Sequence, residues 1–105
     1  MNDEPYHIVK RIEVTNTSGR PLTFVLEPWA NEYPIGPGGT FIVEGEGPGD
    51  YAYLEYEQKD DLLIAYAWDG SDARIFRRDG SILADWTGIR VPDFQRMRDL
   101  EERGW

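Results

Sequence analysis

Between His7 and Leu83 the chain is written in short segments rich in Val, Ile, Leu, Phe and Tyr, cut at regular intervals by clusters of Gly, Pro and Asp. Within these segments apolar and polar residues tend to alternate, and side chains two apart share one face of a strand, so each segment can turn one face to a core. A helix needs apolar positions three and four apart over a longer run than these interruptions allow. The pattern predicts a mostly β protein: an antiparallel β-sandwich or flattened barrel of seven to eight strands.

Individual segments follow from the same rule. His7 to Thr15 reads as a first strand with Ile12 and Val14 facing in and Glu13 facing out, ended by the turn chemistry of residues 16–21. Leu22 to Glu27 places Leu22, Phe24 and Leu26 on one face. The stretch Trp29 to Gly39 holds Pro34, Pro37 and three glycines, which predicts a corner or connection rather than a central strand. Thr40 to Glu44 resumes alternation, residues 45–50 read as a turn, and Tyr51 to Glu57 reads as the next strand. Leu62 to Trp68 is apolar on both faces, as suits a central strand covered on each side, and Phe24, Phe41 and Ile64 are expected to meet in the core. Asp79-Gly80, between Ala73–Arg78 and Ser81–Leu83, signals a type I′ hairpin.

After Gly88 the pattern changes. Pro92-Asp93 opens a segment in which Phe94, Met97 and Leu100 recur every third residue, predicting one C-terminal α-helix over 93–103 that packs on the β body. The 105 residues suit a single domain: a β body over 7–83, a connection over 84–92 and the helix.

Charge and composition narrow the function. The net charge is -9, and residues 44–72 carry nine acids against Lys59 alone, which argues against nucleic acid and anionic membrane surfaces as partners. With no cysteine, thiolate catalysis and zinc-thiolate sites are excluded. Met1-Asn2-Asp3-Glu4-Pro5 is acidic where a secretory signal is basic, and a cytoplasmic location is expected.

His7 is the one histidine, and no Ser or Asp spacing joins it into a nucleophilic triad. The glycine-rich loops over 36–40 and 45–50 lack the lysine and the following helix of a phosphate cradle, so no cofactor is expected. Asp60-Asp61 and Asp69-Gly70-Ser71-Asp72 bracket one strand and read as turn residues rather than metal ligands. Carboxylates are abundant, which leaves a carboxylate-based hydrolase as a minor alternative.

Aromatic residues exceed what a small core absorbs. Tyr51 and Tyr53 fall on the same strand face as Glu55 and Glu57, and with Trp29, Tyr33 and Trp68 they form the candidate binding surface. Two ligand classes fit flat rings beside carboxylates: a protein with a basic surface, or a glycan.

The run Ile12-Glu13-Val14-Thr15-Asn16, then Leu26-Glu27-Pro28-Trp29 with Tyr33, then Pro37-Gly38-Gly39-Thr40-Phe41, resembles small, uncharacterised bacterial β-sandwich proteins over residues 8 to 83. The resemblance implies fold alone. From the residues themselves, a non-catalytic binding or protein-interaction module is the leading expectation, with a small carbohydrate-binding domain as the alternative.

Overall fold

A computed structural model describes residues 7–49 and 52–92. It is mostly β, with eight strands among the described residues: β1 His7–Thr15, β2 Leu22–Glu27, β3 Asn31–Ile35, β4 Thr40–Pro48, β5 Glu55–Lys59, β6 Leu62–Tyr66, β7 Asp72–Arg77 and β8 Ile82–Asp85. They form two four-stranded sheets, ordered β1-β4-β7-β8 and β3-β2-β6-β5. The helix predicted over 93–103 lies outside the described residues. No helix among the described residues is long and apolar enough to cross a membrane.

The two sheets share one core. Val14, Val43, Ala73 and Ile75 come from the first sheet and Leu22, Phe24, Leu26, Ile35, Leu63 and Ala65 from the second. Phe24 is fully buried and meets Phe41 across the core edge to face, with centroids 5.3 Å apart at 80°. Burying a side chain of this kind contributes about 1.5–3 kcal/mol relative to leaving it exposed.

Six expectations are corrected. The wholly antiparallel prediction fails at one pair: β2 and β6 run parallel, Val25 opposite Ile64, while every other pairing is antiparallel. Alternation sets which face a residue occupies and carries no information on strand direction. The supposed corner after Trp29 contains β3, which tolerates Pro34 because it lies at the sheet edge, where the missing N–H breaks no ladder.

The supposed turn over 45–50 is mostly the continuation of β4, paired with β1 as far as Pro48 opposite His7. Its glycines serve packing instead of a turn. A Cβ at residue 45 would lie 2.6 Å from Trp68 Cζ3, and one at residue 47 would lie 2.7 Å from Ser71 Cα. The strand expected from Tyr51 begins only at Glu55.

The hairpin at Asp79-Gly80 forms, but only Gly80 has positive φ, at 89°. Gly80 N donates to Arg77 O, and Arg77 N donates to Ser81 O, so the connection is a three-residue turn with a left-handed glycine rather than type I′. Finally, β6 is central in its sheet yet covered on one face only. Leu63 and Ala65 enter the core, whereas Ile64 points outward and does not meet Phe24 and Phe41.

Candidate functional site

Residues directly opposite across a ladder share a face, so the register assigns every side chain to the core or to water. On the outer face of β1-β4-β7-β8 the charges neutralise one another. Arg74 lies 3.0 Å from Glu46, 3.6 Å from Asp72 and 3.8 Å from Glu44; Arg11 pairs with Glu44 at 3.0 Å, and His7 with Glu46 at 2.7 Å. The His7 hydrogen bond, with Arg74 beside it, holds the Glu46 carboxyl below its ordinary range. Three acids of the acidic middle are thereby used within the protein.

The outer face of β3-β2-β6-β5 is different. Glu32 opposite Val25, Val25 beside Ile64, and Ile64 opposite Glu57 form one row across the sheet. Glu27 beside Tyr66 and Tyr66 opposite Glu55 form a second row, and Thr23, Leu62 and Lys59 a third. The result is an apolar strip of Val25, Ile64 and Leu62 set among Glu27, Glu32, Glu55 and Glu57. Lys59 is the one cation on these four strands. A hollow of about 230 Å³ in this face is lined by Val25, Glu27, Ala30, Glu32, Leu62 and Ile64.

The field on this face is negative. Tyr66 Oη donates to Glu57 at 2.7 Å, and that bond, with burial and the nearby carboxylates of Glu57, Glu27 and Glu55, pushes the phenol above its ordinary value. Among the described residues no ion pair reaches Glu27, Glu32 or Glu55. A solvent-facing sheet face is normally polar throughout. Apolar residues ringed by unneutralised carboxylates instead suit a ligand that is apolar at its centre and cationic at its rim.

The residues singled out from sequence do not converge. Glu55 and Glu57 lie on this acidic face. Tyr53 is 63% exposed but precedes β5, and Tyr51 lies outside the described residues. Tyr33 is half-buried against the core. Trp29 stacks on Trp86 with centroids 5.2 Å apart at 17°, which commits one of its ring faces. Trp68 is corrected outright as a surface residue: it is 5% exposed, and its indole N–H donates to Pro48 O at 2.8 Å.

Val25, Ile64, Glu27, Glu32 and Tyr66 were missed by sequence reasoning. The signal for two of them was present, because Val25 interrupts the polar side of β2 and β6 is apolar on both sides.

Among the described residues no group of three or more His, Asp or Glu side chains is arranged to hold a metal ion. Asp60-Asp61 and Asp69-Asp72 sit beyond opposite ends of β6 and do not come together. Comparison with models of protein families, with curated proteins and with solved structures finds no match.

Proposed function

We propose that this protein is a binding module whose working surface is the outer face of β3-β2-β6-β5, and that its partner is a protein segment with apolar side chains flanked by Lys or Arg. The observation that carries this reading is the strip Val25–Ile64–Leu62 enclosed by Glu27, Glu32, Glu55 and Glu57. Leu62, 37% exposed, and half-buried Ile64 supply area to bury beside Val25, itself only 7% exposed, and the carboxylates steer a cation toward them and reject acidic partners. Against the glycan alternative, Trp68 is buried with its indole N–H bonded to Pro48 O, and Trp29 has one ring face taken up by Trp86. The carboxylate hydrolase has no carrying observation among the described residues. A chain with no cysteine accords with the reducing cytoplasm, where we place it.

The test is calorimetric titration with a synthetic amphipathic peptide of leucine and lysine. Binding should weaken strongly between about 0.1 M and about 1 M salt as the screening length falls from about 10 to about 3 Å. It should be lost in Ile64→Lys. Equal binding by both proteins, or affinity indifferent to salt, overturns the reading.

A further inference from the structure

Each sheet has two edge strands, and three of these edges are short or interrupted. β3 carries Pro34, β8 is four residues long and meets β7 through an irregularity at Ile75/Phe76, and β5 is five residues long. The remaining edge, β1, is nine residues long, holds no proline or glycine, and pairs with β4 without a break from His7 to Thr15. Among the described residues no strand pairs with its outer edge. The backbone groups that residues 9–15 turn to that side can therefore receive another strand.

This edge also carries apolar surface that its own sandwich leaves uncovered. Val9 is 54% exposed on the outer face, and on the inner face Ile8 and Ile12 are only half-buried, although Ile12 packs against the core. Lys10, Arg11 and Glu13 are exposed. Arg11 reaches Glu44 at 3.0 Å and lies over the Phe76 ring, whereas among the described residues no ion pair reaches Glu13. Charges on an edge strand ordinarily discourage pairing, and here their order decides which pairing remains.

An antiparallel ladder between two copies related by a two-fold axis sets like faces together, so it is centred on one residue of β1. Centred on Lys10, Arg11 or Glu13, it opposes two identical charges, which is destabilising. Centred on Val9 it shortens to residues 7–11, and on Val14 to residues 13–15. Centred on Ile12, it sets Arg11 of each copy against Glu13 of the other, Val9 against Thr15 and Lys10 against Val14, and the two Ile12 side chains meet on the core side. The Lys10 stem can lie along the second strand with its ammonium in water. We propose that the outer edge of β1 is a self-recognition surface, to which a second copy of this chain adds its own β1 in the register centred on Ile12. The two first sheets then join into one continuous sheet, and Ile12 gains the cover that one copy lacks. β1 belongs to the sheet opposite the docking face, so the pairing stands independently of that face.

Sedimentation equilibrium of the full chain should show a reversible equilibrium between monomer and dimer. Arg11→Glu and Glu13→Arg each oppose like charges at both symmetric positions, and each should weaken dimerisation at least about tenfold. Mixed in equal amounts, the two variants restore opposite charges at both positions and should associate as the parent does. A parent that stays monomeric up to about 1 mM overturns the proposal. So does a mixture of folded variants that stays monomeric, or undiminished dimerisation of Glu13→Arg, whose site faces Val9 when the ladder is centred on Arg11.

Arg11→Glu also parts Arg11 from Glu44, so a second measurement leaves every charge in place. The chain has no native cysteine, and Val9 is already exposed. A nitroxide carried on Val9→Cys should lie about 20 Å from its counterpart in the dimer, the rise from residue 9 to residue 15 along the ladder. A ladder centred on Arg11 would set the labels about 14 Å apart. A separation near that shorter value, or no coupling between labels at concentrations where the parent is dimeric, overturns the pairing centred on Ile12.

Discussion

The six-membered ring of Trp68 rests against the bare backbone of Gly45, so close that a Cβ at residue 45 would stand 2.6 Å from Cζ3 and 3.2 Å from Cη2. The indole N–H is bonded to Pro48 O, which fixes the ring between the end of β4 and the loop that follows β6. Gly45→Ala sets two effects against each other. Alanine restricts the unfolded chain, a gain of about 0.4–1 kcal/mol where the native conformation accepts it. Here it also forces the indole to move, and overpacking costs typically about 1–3 kcal/mol. The clash should win, so urea denaturation of Gly45→Ala should give a lower midpoint. An unchanged or higher midpoint would show that the indole yields freely.

At the opposite end of the sheets Asn16 is fully buried and fully bonded. Its Nδ2 donates to Arg20 O at 2.7 Å and Ile35 O at 2.9 Å, and its Oδ1 accepts from Ser18 N at 3.0 Å and Ser18 Oγ at 2.7 Å. One side chain thus joins the end of β1, the following turn and the end of β3. Asn16→Ala strands buried partners, each at about 1–3 kcal/mol, so thermal unfolding should fall steeply. Asn16→Asp should be worse at neutral pH, because a carboxylate oxygen then faces two carbonyls. Part of that loss should return on acidification, when the carboxyl protonates and can donate again.

Much of this was legible from alternation alone. His7–Thr15 and Leu22–Glu27 were bounded correctly, and Val14, Leu22, Phe24 and Leu26 fell on the buried faces, because a face is a local property with period two. Failures arose where a residue's role was set by something distant. Gly45 and Gly47 look like turn residues until Trp68 and Ser71 are seen against them. Pro34 looks like a strand breaker until β3 proves to be an edge. Ile64 reads as core from its apolar neighbours, and only the pairing with Val25 shows that it belongs outside. The same limit governs the candidate site: Glu55 and Glu57 share a face by local spacing, but Glu27 and Glu32 join them only through the parallel β2–β6 pair and the β2–β3 hairpin.

Acid should destabilise the protein through identifiable carboxyls. The hydrogen bond from His7 lowers Glu46, that from the Ser81 hydroxyl lowers Asp79, and that from the Thr87 hydroxyl lowers Asp85. A carboxyl depressed in the folded state contributes stability that is present above its unfolded value, about 4, and lost as pH falls through the lower folded value. Melting temperatures should therefore hold from neutral pH to about 5 and drop below about 4. Asp79→Ala/Asp85→Ala should show a shallower acid limb than the parent. Parallel curves for the two proteins would mean that these turn aspartates do not drive the acid transition.

Tyr66 offers the matching measurement at alkaline pH, and it reads the acidic face itself. Its hydroxyl donates to Glu57, and the hydrogen bond, partial burial and the carboxylates of Glu57, Glu27 and Glu55 all favour the neutral phenol. A phenol raised in the folded state contributes stability that is complete below its unfolded value, about 10, and lost as pH rises through the higher folded value. Subtracting the ultraviolet absorbance titration of Tyr66→Phe from that of the parent isolates this one group, and its midpoint should lie above the ordinary value. In Glu57→Gln the midpoint should move down as the charged acceptor is lost, and Glu27→Gln should move it less, because Glu27 acts through space alone. A Tyr66 titration at the ordinary value would remove the negative field from this face, and with it the electrostatic reason for a cationic rim on whatever docks there.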